Sequence, residues 1–164
     1  INYGIFREAV LLQMTWPGAP TIYYGDEAGQ VGWTDPDNRR TYPWGKEDWE
    51  LIEFHRYMIT LHKTIPCLKN GSLKPLISGE HLIVYGRFTK ETKAVIIVNN
   101  KAEYRNVSIP VWEIEVPLEA EMARVMKTTQ AGYNVGRVWE TVKDGYLNLS
   151  MDPISAAVYL WDNR

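Results

Sequence analysis

Residues 3–27 read YGIFREAVLLQMTWPGAPTIYYGDE, three textures in succession. In residues 3–15, Ile5, Ala9 and Leu12 recur at helical spacing. Phe6, Val10 and Met14 widen that stripe, and Arg7, Glu8 and Gln13 hold polar positions. The spacing predicts a helix. Trp16-Pro17-Gly18-Ala19-Pro20 then ends it, because two prolines cannot continue a helix. Thr21-Ile22-Tyr23-Tyr24 is β-branched and aromatic, which predicts a short strand over Thr21–Gly25. Helix, breaker and strand in that order make a piece of a parallel α/β fold.

Working outward, polar loop sequence runs from Gly25 to Gly45. A second helix is expected over Asp48–Thr64, where Leu51, Phe54, Met58, Leu61 and Ile65 recur at three- and four-residue steps. Pro66 and Gly71 close it. One strand between two helices has no sheet to join within this chain, so the segment reads as the end of something larger. After residue 71 the texture changes. Leu73–Ile77, His81–Phe88, Lys93–Val98, Asn106–Val111, Glu121–Lys127, Val138–Val142, Tyr146–Ser150 and Ser155–Trp161 are strand candidates separated by turn signals. That pattern predicts an antiparallel sandwich or barrel. The fold class expected is α+β, divided into residues 1–70 and 71–164.

The chain has 164 residues, 45% of them hydrophobic and 23% charged, which excludes a disordered tail, a collagen-like repeat and a disulfide-dense miniprotein. The formal charge is −2 with no basic patch, so no nucleic-acid partner is expected. No apolar run approaches the roughly 18 residues of a spanning helix, so no membrane partner is expected either. No signal peptide is visible, and a start at Ile1 without Met suggests a fragment or processed product. Localisation stays undetermined. Cys67 stands alone, which rules out an intrachain disulfide and a cysteine-based zinc site. Seven Trp and ten Tyr against three Phe suit sites for amphipathic partners such as sugars, but composition alone favours their use in β-rich packing.

The loop holds the candidate chemistry. Asp26 and Glu27 are adjacent and make a poor convergent pair for glycoside hydrolysis. Asp35-Pro36-Asp37-Asn38 opens like a calcium loop, but Arg40 and Lys46 stand where that loop needs Gly and Glu, so calcium is excluded here. Asp35 and Arg39 are better placed. A carboxylate and a planar guanidinium can pair with each other or present both groups to vicinal sugar hydroxyls, and Trp33 and Trp44 flank them with ring faces. The competing reading is a loop-closing salt bridge. His55, His62 and His81 have no metal spacing, and no nucleophile elbow or phosphate loop is present.

Leu12-Gln13-Met14, Pro17–Glu27, Asp35-Pro36-Asp37-Asn38-Arg39-Arg40 and Pro43-Trp44 strongly resemble the end of the catalytic barrel of the α-amylase superfamily. The flavour is that of its neopullulanase, cyclomaltodextrinase and amylopullulanase branch. The likeness is specific over residues 7–45, weaker to Gly71, and architectural beyond. It implies the last helix–strand–helix of a (β/α)8 barrel followed by an antiparallel β-sandwich. It implies a retaining hydrolase of α-glucans (starch, maltodextrin, pullulan), with Asp35 and Arg39 contacting the sugar beside the cleavage point. The family's nucleophile, acid/base and transition-state-stabilising carboxylates lie upstream of Ile1, as do its usual calcium ligands. So this fragment is expected to hold no catalytic side chain, no cofactor and no metal, to be inactive alone, and to leave calcium to a complete enzyme. Two other readings stay open: a glycosyltransferase of the same superfamily, and a sandwich that binds starch through Trp112, Trp139 or Trp161, with Trp161 favoured as core. Residues 1–66 are expected either to pack back on the sandwich or to self-associate with another copy.

Overall fold

The computed structural model describes residues 2–162. Helix α1 (Tyr3–Thr15) begins where the Asn2 side chain accepts the Ile5 N–H at 3.2 Å, and it stops at Trp16 before the prolines. Helix α2 (Trp49–Thr64) is capped the same way, the Asp48 carboxylate accepting the Leu51 N–H at 3.1 Å. A short helix α3 (Pro66–Asn70) starts on proline, whose missing N–H costs nothing at that position. The strand expected at Thr21–Gly25 is not there. Extended backbone becomes a strand only by pairing, and this segment has no strand beside it. The Thr21 carbonyl accepts instead from the Gln13 side chain, and the Tyr23 carbonyl from the Asp26 N–H.

The eight later strands all form. They are β1 (Ser72–Gly79), β2 (Leu82–Phe88), β3 (Thr92–Asn99), β4 (Arg105–Pro110), β5 (Ala120–Thr128), β6 (Tyr133–Lys143), β7 (Tyr146–Met151) and β8 (Ser155–Asp162). They make one antiparallel sheet in the order β1-β2-β3-β8-β5-β6-β7-β4. The β6–β7 turn is Asp144-Gly145, both with positive φ, the chemistry a two-residue hairpin demands.

The sheet curls over itself, and β3 shows how. Ala94, Ile96 and Val98 join Val10, Leu11 and Met14 of α1 and Phe54, Met58 and Leu61 of α2 in one core. Val95 and Ile97, pointing the other way, join Val107 and Ile109 of β4 and Leu147 and Leu149 of β7 in a second. The order through the molecule is therefore helices, sheet, sheet. Polar ties reinforce the helix–sheet seam. Arg87 of β2, 1% exposed, donates to the carbonyls of Thr15 (2.6 Å) and Gly71 (3.0 Å). The Tyr85 hydroxyl meets Thr15 Oγ1 at 2.6 Å, and Tyr57 donates to the Val125 carbonyl. Residues 3–70 thus pack back on the sandwich.

Candidate functional site

The loop between α1 and α2 is held at its root by backbone geometry. Gly25 and Gly29, both at positive φ, bracket a single turn over Asp26–Ala28. A side chain at Gly25 would also run into Gln30. Glu27 Oε2 accepts the Gly25 N–H at 3.0 Å, so Glu27 shapes the loop. The Asp26 carboxyl is held above the ordinary carboxylate range, first by partial loss of water and then by the Glu27 charge, with His55 acting the other way. The Asp48 N–H donates to the Ala28 carbonyl, which ties the root to the cap of α2.

Beyond the root the loop folds on itself and stands out in water. Asp37 is its internal pin. One carboxylate oxygen accepts from Arg40 Nε and a terminal guanidinium nitrogen at 2.8 and 2.6 Å, while the other accepts the Trp33 N–H at 3.0 Å. Tyr24 and Gln30 both donate to the Arg40 carbonyl. The Gly32 position leaves no room for a side chain, since a Cβ there would lie 2.8 Å from Asn38 Cα. Sequence reading missed this second pair and singled out Asp35 and Arg39 alone. Its signal was the three-residue step from Asp37 to Arg40.

Asp35 and Arg39 are brought together. Arg39 Nε lies 3.1 Å from Asp35 Oδ1, and both side chains are about two-thirds exposed, at 69% and 64%. A pair this wet contributes little to stability, about 0–1 kcal/mol. It leaves most of the guanidinium donors and the second carboxylate oxygen free for a ligand. Trp33 and Trp44 stand beside the same loop at 83% and 81% exposure, and Tyr42 packs on Trp44 with ring centroids 4.6 Å apart. A hollow of about 180 Å³ opens next to them, lined by Tyr23, Tyr24, Asp26, Gln30, Trp33 and Asn38. The arrangement offers ring faces, two charged groups and amide hydrogen-bonding groups to a polyhydroxylated molecule.

His55 and His62 donate from Nδ1 to the carbonyls of Leu51 and Met14, and His81 lies exposed in the β1–β2 turn beside Glu80. Among the described residues, no group of three or more His, Cys, Asp or Glu side chains is placed to hold a metal ion. Among the described residues no helix is long and apolar enough to cross a membrane.

No family model matches the chain. Individual relatives do. The amylopullulanase of Thermoanaerobacter thermohydrosulfuricus is 42% identical over 62% of this chain and 8% of its own length. Neopullulanase 2 of Thermoactinomyces vulgaris is 35% identical over 99% of this chain and 26% of its own. A cyclomaltodextrinase of Geobacillus thermopakistaniensis is 32% identical over 62% and 18%. Among solved structures, an α-amylase from Anoxybacillus superposes with a TM-score of 0.81 at 24% identity, covering 99% of this chain and 33% of that one. The α-amylase of Geobacillus thermoleovorans complexed with acarbose gives 0.80, covering 98% and 34%. The eight-stranded antiparallel sheet matches the C-terminal β-sandwich of these α-amylases, and the chain aligns with the C-terminal region of its α-amylase-family relatives. In sequence it is similar to enzymes named amylopullulanase, neopullulanase and cyclomaltodextrinase. The chain spans between 6% and 26% of the length of the curated relatives it matches.

Proposed function

We propose that the chain is part of an α-glucan-active retaining glycoside hydrolase, in which the α1–α2 loop supplies one wall of the sugar site and none of the catalytic carboxylates. In this reading residues 1–70 are the end of the (β/α)8 barrel and residues 71–164 the sandwich behind it. The place where Thr21–Gly25 would pair is then a sheet this chain does not contain. The observation that carries the proposal is the Asp35–Arg39 ion pair. It is formed, wet and flanked by Trp33 and Trp44, so it presents charge to solvent and stabilises the loop little. The internal pin of the loop is the separate Asp37–Arg40 pair, which frees Asp35 and Arg39 for a ligand. An α-glucan oligosaccharide fits the ring faces and the fork, and calcium belongs to the complete enzyme if to any part.

Two experiments test this. The purified chain should release no reducing sugar from starch or pullulan, because positioning groups without an acid and a nucleophile do not cleave a glycosidic bond. Release that disappears on Asp26→Asn or Glu27→Gln would overturn the proposal. In the longer enzyme, Arg39→Lys should lower kcat/KM on maltodextrin and leave the melting temperature nearly unchanged. Loss of melting temperature with turnover intact would identify the pair as a loop-closing bridge.

A further inference from the structure

We infer that the hollow between α1 and the β1–β2 turn is a binding site for a small alkylammonium ion, anchored by the Glu8 carboxylate. It shares no residue with the α1–α2 loop and goes beyond the function proposed above. The hollow measures about 350 Å³, and Ile5, Leu12, Ile83 and Val98 line it together with Glu8 and Asn100. That size falls at the small end of ligand pockets, which run about 300–1,000 Å³. Its polar end is fixed by two bonds in series. The Asn100 N–H donates to the His81 carbonyl at 2.9 Å, which ties the end of β3 to the β1–β2 turn. The Asn100 side chain then donates to Glu8 Oε2 at 2.6 Å.

Glu8 is what asks for a ligand. It is 3% exposed, its Oε1 has no hydrogen-bond partner among the described residues, and Oε2 is met by a neutral amide and not by a cation. A carboxylate taken out of water is costly unless a positive charge meets it. The cations that follow Asn100 in the chain are engaged elsewhere: Lys101 pairs with Glu103 at 3.0 Å, and Arg105 donates to the Glu80 carbonyl at 2.8 Å. Burial holds the Glu8 carboxyl above its ordinary value, and a bound cation acts against that shift. The walls select the kind of cation. Calcium takes about six to eight oxygen ligands, whereas these walls are mostly aliphatic and no group of three His, Cys, Asp or Glu side chains is placed to hold a metal among the described residues. An ammonium group is a compact charge with three donors. Glu8 Oε1 and the Asn100 amide oxygen are its acceptors, and a tail of a few carbons covers Leu12 and Ile83. An anion is repelled by the carboxylate, and a neutral alcohol leaves the charge unanswered.

Titration of the 164-residue chain with n-butylammonium chloride at neutral pH tests this, followed by calorimetry and by the NMR signal of the Asn100 side-chain amide. Expected are saturable binding, a shift of the Asn100 signal and a higher melting temperature. Binding should be weaker by about tenfold or more in Glu8→Gln, which keeps the shape and removes the charge. Ala9→Leu, which keeps the carboxylate and fills the hollow from α1, should lose binding as well. Thermal melts of both variants check that they fold, and the Asn100 signal of the wild-type chain decides the matter without them. n-Butanol and sodium chloride at matched concentration should give no saturable effect. Nα-acetyllysine amide offers the same group on a peptide-like body; whichever of the two amines binds more tightly identifies the source as a free amine or a lysine side chain, and either supports the site. Absence of saturable binding, an equal response to sodium chloride or n-butanol, binding unchanged in Glu8→Gln, or binding that leaves the Asn100 signal unmoved would each overturn the inference.

Discussion

At the scale of single residues, the Asp35–Arg39 pair was legible because a four-residue step inside a loop is short enough to force the two groups near each other, whatever the rest of the chain does. The Glu8 carboxylate was not. It occupies a polar position on a helical stripe, yet it is 3% exposed, with Oε2 accepting from Asn100 at 2.6 Å and Oε1 finding no hydrogen-bond partner among the described residues. Only the approach of the β3–β4 turn to α1 buries it, and that contact is remote in sequence. Burial pushes its pKa up, and the Asn100 bond offsets part of that. Between the unfolded value near 4.5 and the raised folded value, the folded chain holds a proton that the unfolded chain has released. Glu8 therefore costs nothing below that window, and stability falls as pH rises through it. Glu8→Gln removes this dependence. Its melting temperature relative to wild type should be higher at about pH 7 than at about pH 4. A difference constant across that range would remove Glu8 from the pH profile. At the neighbouring scale of charge, Arg39→Lys keeps the cation and loses the fork. A charge-assisted hydrogen bond contributes about 1.5–3 kcal/mol, so under the proposed sugar contact the longer enzyme should lose roughly 10–100-fold in kcat/KM.

At the scale of elements, both long helices and all eight later strands were legible, because each carries its own periodicity, cap or turn chemistry. Asp48 before α2 and the breaker Trp16–Pro20 after α1 are local signals, and the observed ends follow them. Thr21–Gly25 has equally good local chemistry and yet is no strand, since pairing is supplied by neighbours that a local pattern does not contain. Gly86 exposes another limit. It sits inside β2, where glycine usually weakens a strand. Here a Cβ would meet Ile114 Cγ2 at 2.7 Å, because the turn Val111–Ile114 lays Ile114 directly on the strand backbone. Gly86→Ala should destabilise by about 1–3 kcal/mol through overpacking. Chemical denaturation of Gly86→Ala, Ile114→Ala and the double variant checks it. The double variant should lose clearly less than the two single losses together, because trimming Ile114 makes the space the methyl needs. Simple additivity would place the strain elsewhere.

For the whole molecule, the change of texture near residue 71 marks a change of architecture without marking a gap in the core. One sequence feature did point to this. Ala94–Val98 and Ala156–Tyr159 are apolar without alternation, the pattern of strands covered on both faces, as β3 and β8 are. What covers each face was beyond local reading: the expected stripe of α1 leaves Ile5 and Ala9 exposed, and Val10, Leu11 and Met14 pack on the sandwich instead. In the fold, Leu11, Phe54 and Met58 share one core with Ile96 and Val158, and Arg87 ties the end of α1 to the end of α3. Helices and sandwich should therefore unfold together. Native-state hydrogen exchange should give the amides of Leu11, Phe54 and Met58 the same opening free energy as those of Ile96 and Val158, within about 1 kcal/mol. Arg87→Ala leaves two carbonyls at the seam without their donor, that of Thr15 buried, at a cost of about 1–3 kcal/mol, and that of Gly71 part-buried, at less. It should lower protection in α1 first and draw the two sets of amides apart. Helices that already exchange far faster than β3 in the wild-type chain would mean the seam is only loosely held. Residues 3–70 would then be a detachable unit leaning on the sandwich.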